Sequence, residues 1–152
     1  MTRFNSKELY SSEVDHISSV ISAKKQLREK LINYQRKFPE QYGDNKKFVI
    51  IEGRDIGTVV FPNADYKFFI TANDKSRAER RLMDLVSVGD KKVSELDVVL
   101  DELRVRDRKD STRDLSPLQK ADDAIIIDTT YLAIDEVVKK IVNIVNHKRT
   151  LI

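Results

Sequence analysis

The 152-residue sequence contains no cysteine. That excludes disulfides, zinc–thiolate centres and a thiol nucleophile together. Glycine is scarce as well, with only Gly43, Gly53, Gly57 and Gly89. A loop that cradles nucleotide phosphates needs Gly-x-x-x-x-Gly-Lys-Ser/Thr, which aims backbone N–H groups and a lysine at the phosphates. No two of these glycines stand five apart with lysine next, so the pattern is absent in every register. The only histidines, His16 and His147, lie near opposite ends outside any metal-ligand pattern and read as surface residues. Neither Gly-x-Ser-x-Gly nor His-Glu-x-x-His occurs, so hydrolase and metalloprotease readings gain nothing. No apolar run approaches the length of a membrane span, and the first twenty residues lack an apolar leader core. A cytoplasmic protein is the expectation.

What is present is a soluble, charge-rich mixture of one-domain length. The 28 basic and 25 acidic residues are interleaved and leave a net charge of +3, a weak pointer to nucleic acid and no more. Ser12-Glu13-Val14-Asp15 has the form of a capping box. Val14, Ile17, Val20, Ile21, Leu27, Leu31, Tyr34 and Phe38 then follow at helical spacing, with a break expected near Ser22-Ala23 and closure at Pro39 and Gly43. Phe48-Val49-Ile50-Ile51 is a short β-branched apolar run, which predicts a strand buried on both faces. A second strand is expected at about Tyr66 to Thr71 and another at Ala124 to Asp128. Between them Asn73 can cap a helix carrying Ala78, Leu82 and Leu85 on one side. Ser94 and Asp97 start another through Leu96, Val99, Leu100 and Leu103, which Pro117 ends at the latest. Ile134, Val137, Val138, Ile141, Val142 and Val145 place a last helix against the sheet. Strands alternating with helices predict a parallel α/β sheet.

Two segments carry charge patterns suited to phosphate chemistry. Gly53-Arg54-Asp55 follows the first expected strand, and ligands in open α/β sheets sit beyond the carboxyl ends of strands. There a guanidinium can hold a phosphate while the carboxylate accepts from a hydroxyl. In the run Arg104 to Pro117, a helix would put Arg106, Asp110 and Arg113 on one face, two guanidiniums flanking a carboxylate. Arg77, Arg80 and Arg81 offer a second anion-facing surface. The bland counterparts stay open for each: a surface turn with a local ion pair, or a solvated face laced with pairs of about 0.3–0.5 kcal/mol.

Taken together and in order, EGRDIGTVVFPNAD, ITANDKSRAERR, RDRKDSTRDLSP, ADDAIIIDTT and AIDEVVKKI resemble the bacterial cytidylate kinase family of nucleoside monophosphate kinases. The likeness spans about Glu13 to Val145. It implies an α/β, P-loop NTPase-like parallel sheet flanked by helices, incomplete because the N-terminal strand–P-loop–helix is absent. Within a single partial domain over 1–152, about 12–42 would be the helical monophosphate-binding insert and about 104–117 a lid-like segment. The implied reaction is ATP-dependent phosphorylation of CMP and dCMP with Mg²⁺. Arg54, Asp55, Arg106 and Arg113 match the family's catalytic positions. Ser19, Arg28, Asp55, Arg106, Asp110 and Arg113 match those that bind CMP, with Ser19 and Arg28 on the cytosine. No metal ligand and no ATP-binding residue is assigned in this chain. Tyr10 stands where the family usually has arginine.

The missing phosphate loop has a price in rate. Phosphoryl transfer is mostly positioning and charge stabilisation, so its loss should cost several orders of magnitude, by analogy with about 10³–10⁵ for one catalytic arginine. The chain is therefore expected to be inactive alone. Exposed sheet edges would then favour self-association or completion by a separate N-terminal fragment. Two rivals stay beside this reading. One is a non-catalytic nucleotide-binding remnant of a split or decayed kinase. The other is a small basic nucleic-acid module, against which stands the lack of an aromatic stacking strand.

Overall fold

The computed structural model describes residues 12–22, 24–39, 48–89, 95–112 and 116–149. Tyr10, Gly43, Ser94 and Arg113 lie outside the described residues, as does the side chain of Ser19. Within them the order is α1 (Ser12–Ser22), α2 (Lys25–Arg36), a wide helical turn (Ile56–Val60), β1 (Phe68–Thr71), α3 (Asp74–Val88), α4 (Leu96–Thr112), β2 (Ile125–Asp128) and α5 (Ile134–Arg149).

The expected break in the first helical region is present. Lys24 is extended (φ −79°, ψ 116°), so α1 and α2 are separate helices. The Asn73 cap also forms, its side chain accepting from Ser76 N–H at 2.7 Å. Gly89 ends α3 in the left-handed region at φ 70°, where a Cβ would be strained. Ala78, Leu85 and Val99 form the buried centre of the α3–α4 pair, with Leu82, Leu96, Leu100 and Leu103 packed around it. That is the apolar stripe the sequence spacing lays out.

β1 and β2 pair in parallel, with Phe68 opposite Ile125 and Thr71 opposite Asp128. Helices α3 and α4 form the crossover that a parallel pair requires. The strand expected at Ala124 to Asp128 is present as β2, in which only Ile127 is buried. The last helix is tied in where the Tyr66 hydroxyl donates to the Val145 carbonyl at 3.2 Å. Its Val137, Ile141 and Val145 are half-buried, whereas Ile134, Val138 and Val142 are exposed.

The first expected strand needs correction. Phe48 to Ile51 belongs to no ladder among the described residues, and Ile50 is 94% exposed. A strand buried on both faces exists only where neighbours supply hydrogen bonds and apolar cover. Among the described residues the sheet has two strands and neither flanks this run.

Ile56–Val60, IGTVV, reads like strand from its β-branched residues yet closes as a π-type turn. Val60 N–H reaches the Asp55 carbonyl at 3.2 Å and Phe61 N–H the Ile56 carbonyl at 2.7 Å. Such wide turns concentrate at functional sites. Gly53 belongs to this geometry: a Cβ there would meet Ile56 Cγ1 at 2.7 Å.

Candidate functional site

The site grows from the turn that follows the apolar run. Asp55 opens the wide turn with its carbonyl and is itself 8% exposed. A carboxylate so far from water needs a partner. It has one in Arg28 of α2, whose Nη1 lies 3.3 Å from Oδ2. The helical region and the Gly-Arg-Asp turn, far apart in sequence, therefore meet at an ion pair of two sequence-predicted site residues.

Arg54 points the other way, toward α4. Its Nη1 is 3.5 Å from Asp107 Oδ1, and its Nε is 3.5 Å from Asp110 Oδ2. Charge-assisted hydrogen bonds usually run about 2.7–2.9 Å, so two carboxylates share this guanidinium loosely. Asp107 is held far more tightly by Arg77 of α3, at 2.6 Å. The hydrogen bond that Arg77 donates to Asp107 raises the Arg77 pKa above its ordinary value, against the opposing effect of burial. Asp74 extends the chain of charges, 3.7 Å from Arg77 and 3.1 Å from Arg104. Acids and bases alternate from the turn across two helices.

Of the sequence-predicted residues, Arg54 and Asp110 belong to this array, whereas Arg28 and Asp55 form an ion pair of their own on the other side of the turn. Arg106 is half-buried on α4, four residues before Asp110. The positions of Arg113 and of the Ser19 side chain lie outside the described residues.

Three contributors escaped the sequence reading. Asp107 lies inside the charged run but one step round the helix from Arg106, on the side that meets α3. Arg77, expected on an anion-facing surface, instead faces the Asp107 carboxylate. Arg36, the last residue of α2, donates from Nε to the Val60 carbonyl at 3.0 Å and from Nη2 to the Val59 carbonyl at 2.8 Å. Only its place on α2 was visible in advance.

Arg80 also departs from the expected surface role. It donates to the Thr129 hydroxyl at 2.9 Å, to the Thr129 carbonyl and to the Leu132 carbonyl at 3.5 Å. It fastens α3 to the end of β2 at the carboxyl edge of the sheet. There Thr130 N–H and hydroxyl both donate to Asp128, at 2.8 and 2.6 Å. The hydroxyl first, then the N–H, lowers the Asp128 pKa. The two histidines are exposed, as expected.

A small parallel sheet flanked by helices, with a charged turn against two of them, has the architecture of a partial P-loop kinase fold. Comparison with known sequences makes the assignment specific. A family profile described as cytidylate kinase matches residues 2–147. The cytidylate kinase of Lactobacillus johnsonii is 43% identical over 93% of this chain and 59% of the relative. That of Protochlamydia amoebophila is 48% identical over 90% of this chain and 58% of the relative. A bifunctional pantoate ligase/cytidylate kinase of Prochlorococcus marinus is 45% identical over 92% of this chain and 26% of the relative. The chain belongs to the cytidylate kinase family. It spans about three-fifths of the length of the single-function relatives.

Proposed function

We propose that this chain carries the acceptor-nucleotide side of an enzyme that phosphorylates CMP and dCMP from ATP. The observation that carries the reading is the Arg28–Asp55 pair, which brings the helices of the proposed monophosphate-binding insert onto the Gly-Arg-Asp turn. Beside it Arg54 is held by two carboxylates at distances that leave it easy to re-aim. An entering phosphate would take this guanidinium through two parallel N–H···O bonds. Asp110, so released, can accept from a ribose hydroxyl, with Arg106 and Arg113 adding positive charge from the same stretch. Arg28, with Ser19, would read the base, and Asp55 would fix Arg28.

For ATP and Mg²⁺ the residues at hand do not fit. The phosphate-loop pattern is absent from the sequence, and among the described residues no three His, Asp or Glu side chains gather as a metal site. In this proposal the donor side comes from a separate N-terminal segment. The exposed Phe48, Val49 and Ile50, with Ile70 and Ile126 of the sheet, support an unsatisfied apolar surface for it to cover.

The test is a pair of measurements on the purified chain: CMP binding, and turnover with CMP, ATP and Mg²⁺ with and without an added N-terminal fragment from a relative. CMP binding with turnover only after addition is the expected result. Binding without rescue would favour the non-catalytic remnant, and rescue by raised chain concentration alone would favour self-association. Salt-dependent binding to unrelated oligonucleotides with no response to CMP would overturn the reading in favour of a nucleic-acid module.

A further inference from the structure

Helix α2 touches the wide turn at both of its ends. At the start, Arg28 pairs with the Asp55 carboxylate at 3.3 Å, while the Asp55 carbonyl accepts from Val59 N–H at 2.9 Å and Val60 N–H at 3.2 Å. At the finish, Arg36 donates to the Val59 and Val60 carbonyls at 2.8 and 3.0 Å. These carbonyls close a helical turn, where main-chain oxygens lack acceptor roles within the helix and need an outside donor. A guanidinium fork suits two successive carbonyls better than an ammonium, which is a point charge without fixed donor directions. Val60 beneath is 2% exposed, so the anchored end of the turn is itself fixed in the interior.

Arg28 and Arg36 are separated along α2 by about 12 Å of helix. A single anchor would leave the helix free to pivot about it; two define its direction. We propose that Arg36 is a positioning residue for nucleotide recognition: by clamping the far end of the turn, it sets where Arg28 stands against Asp55. Its Nε and Nη2 are engaged by the Val60 and Val59 carbonyls. The inference rests on the reading of Arg28 as a base-recognising residue, and its test separates the two.

CMP binding to the full chain is measured by calorimetry for the parent protein, Arg36→Ala, Arg36→Lys, Arg28→Ala and the Arg28→Ala/Arg36→Ala double variant, with GMP as the mismatched nucleotide. Arg36→Ala should weaken CMP binding about tenfold, equivalent to about 1.4 kcal/mol. It should narrow the preference for CMP over GMP, and Arg36→Lys should recover part of both. In the Arg28→Ala background, removing Arg36 should change affinity less than about twofold, the signature of two residues acting through one contact. A variant that merely folds less completely would show lost helicity by circular dichroism before CMP is added, and its apparent dissociation constant would rise equally for CMP and GMP, leaving the preference unchanged. The inference is overturned if Arg28→Ala weakens binding while Arg36→Ala does not, or if the two losses add in full. If Arg28→Ala leaves CMP affinity unchanged, or the parent chain ignores CMP, the underlying reading of the site falls and this one with it.

Discussion

Arg77 Nη1 and Asp107 Oδ2 stand 2.6 Å apart, joining α3 to α4 at the carboxylate that also faces Arg54. One acid thereby serves a tight structural partner and a loose one in the candidate site. Replacing Asp107 with asparagine keeps its shape and removes its charge. Arg77 would retain Asp74, and Arg54 would retain Asp110. Since the pair is partly exposed, the expected loss is about 1 kcal/mol, a fall of about 2–4 °C in melting temperature for a chain of this size. Calorimetry checks this, and a loss that persists undiminished at high salt would show that the pair is not acting through its charge.

Arg106→Ala and Asp110→Ala should each weaken CMP binding by about one to two orders of magnitude. That is the scale of a charge-assisted hydrogen bond worth about 1.5–3 kcal/mol. The measurement is the same titration with CMP. Unchanged affinity in both variants would remove this face of α4 from the site.

The Asp128–Thr130 contact gives a pH-dependent prediction. Asp128 titrates below the ordinary aspartate value of 3.8, chiefly because the Thr130 hydroxyl donates to its carboxylate. A depressed pKa means that the ionised form favours the fold. Its contribution is present above 3.8 and disappears as pH drops through the lower folded value. Thr130→Val should bring the Asp128 titration back toward the ordinary value, read from its carboxyl resonance by NMR. Asn73 N–H, which donates to the same hydroxyl at 2.9 Å, should shift in the same spectra.

Leu85 is 3% exposed in the α3–α4 core. Leu85→Ala should destabilise the chain by about 2–5 kcal/mol, combining lost burial with the cavity left behind. Denaturant unfolding monitors it, and a loss below about 1 kcal/mol would mean that the two helices close up around the gap.

Ile50 tests the apolar surface. Exposed as it is, Ile50→Lys should alter the stability of the chain alone by no more than about 0.5 kcal/mol. It should nevertheless suppress rescue of turnover by an added N-terminal fragment. Equal rescue in the variant would show that this residue stays uncovered in the completed enzyme.

What could be read in advance was local. The Asn73 cap, the break before Lys25 and the separate apolar stripes of α3 and α4 depend on neighbours within a turn or two. The strand expected at Phe48 to Ile51 does not pair among the described residues, since pairing depends on what lies alongside, which composition does not specify. The IGTVV turn could not be read from its β-branched residues, because its closing carbonyls are met by Arg36 from α2. In the site, Arg54 and Asp55 could be singled out by their place after an apolar run. Their partners could not: Arg28 pairs with Asp55 across 27 positions and Arg54 with Asp107 across 53. Helical spacing identifies a face and is silent on what that face meets.

The parallel pairing of β1 with β2 has a kinetic corollary. Its closing contact, Thr129 to Thr71, joins residues 58 positions apart, so the chain must lose much freedom before that contact forms. The α3–α4 hairpin, whose packing is local, lies within this span and shortens the search once formed. Helices first and sheet last is the order this topology favours. Core changes in the hairpin should then slow refolding, whereas changes at Ile127 should chiefly hasten unfolding.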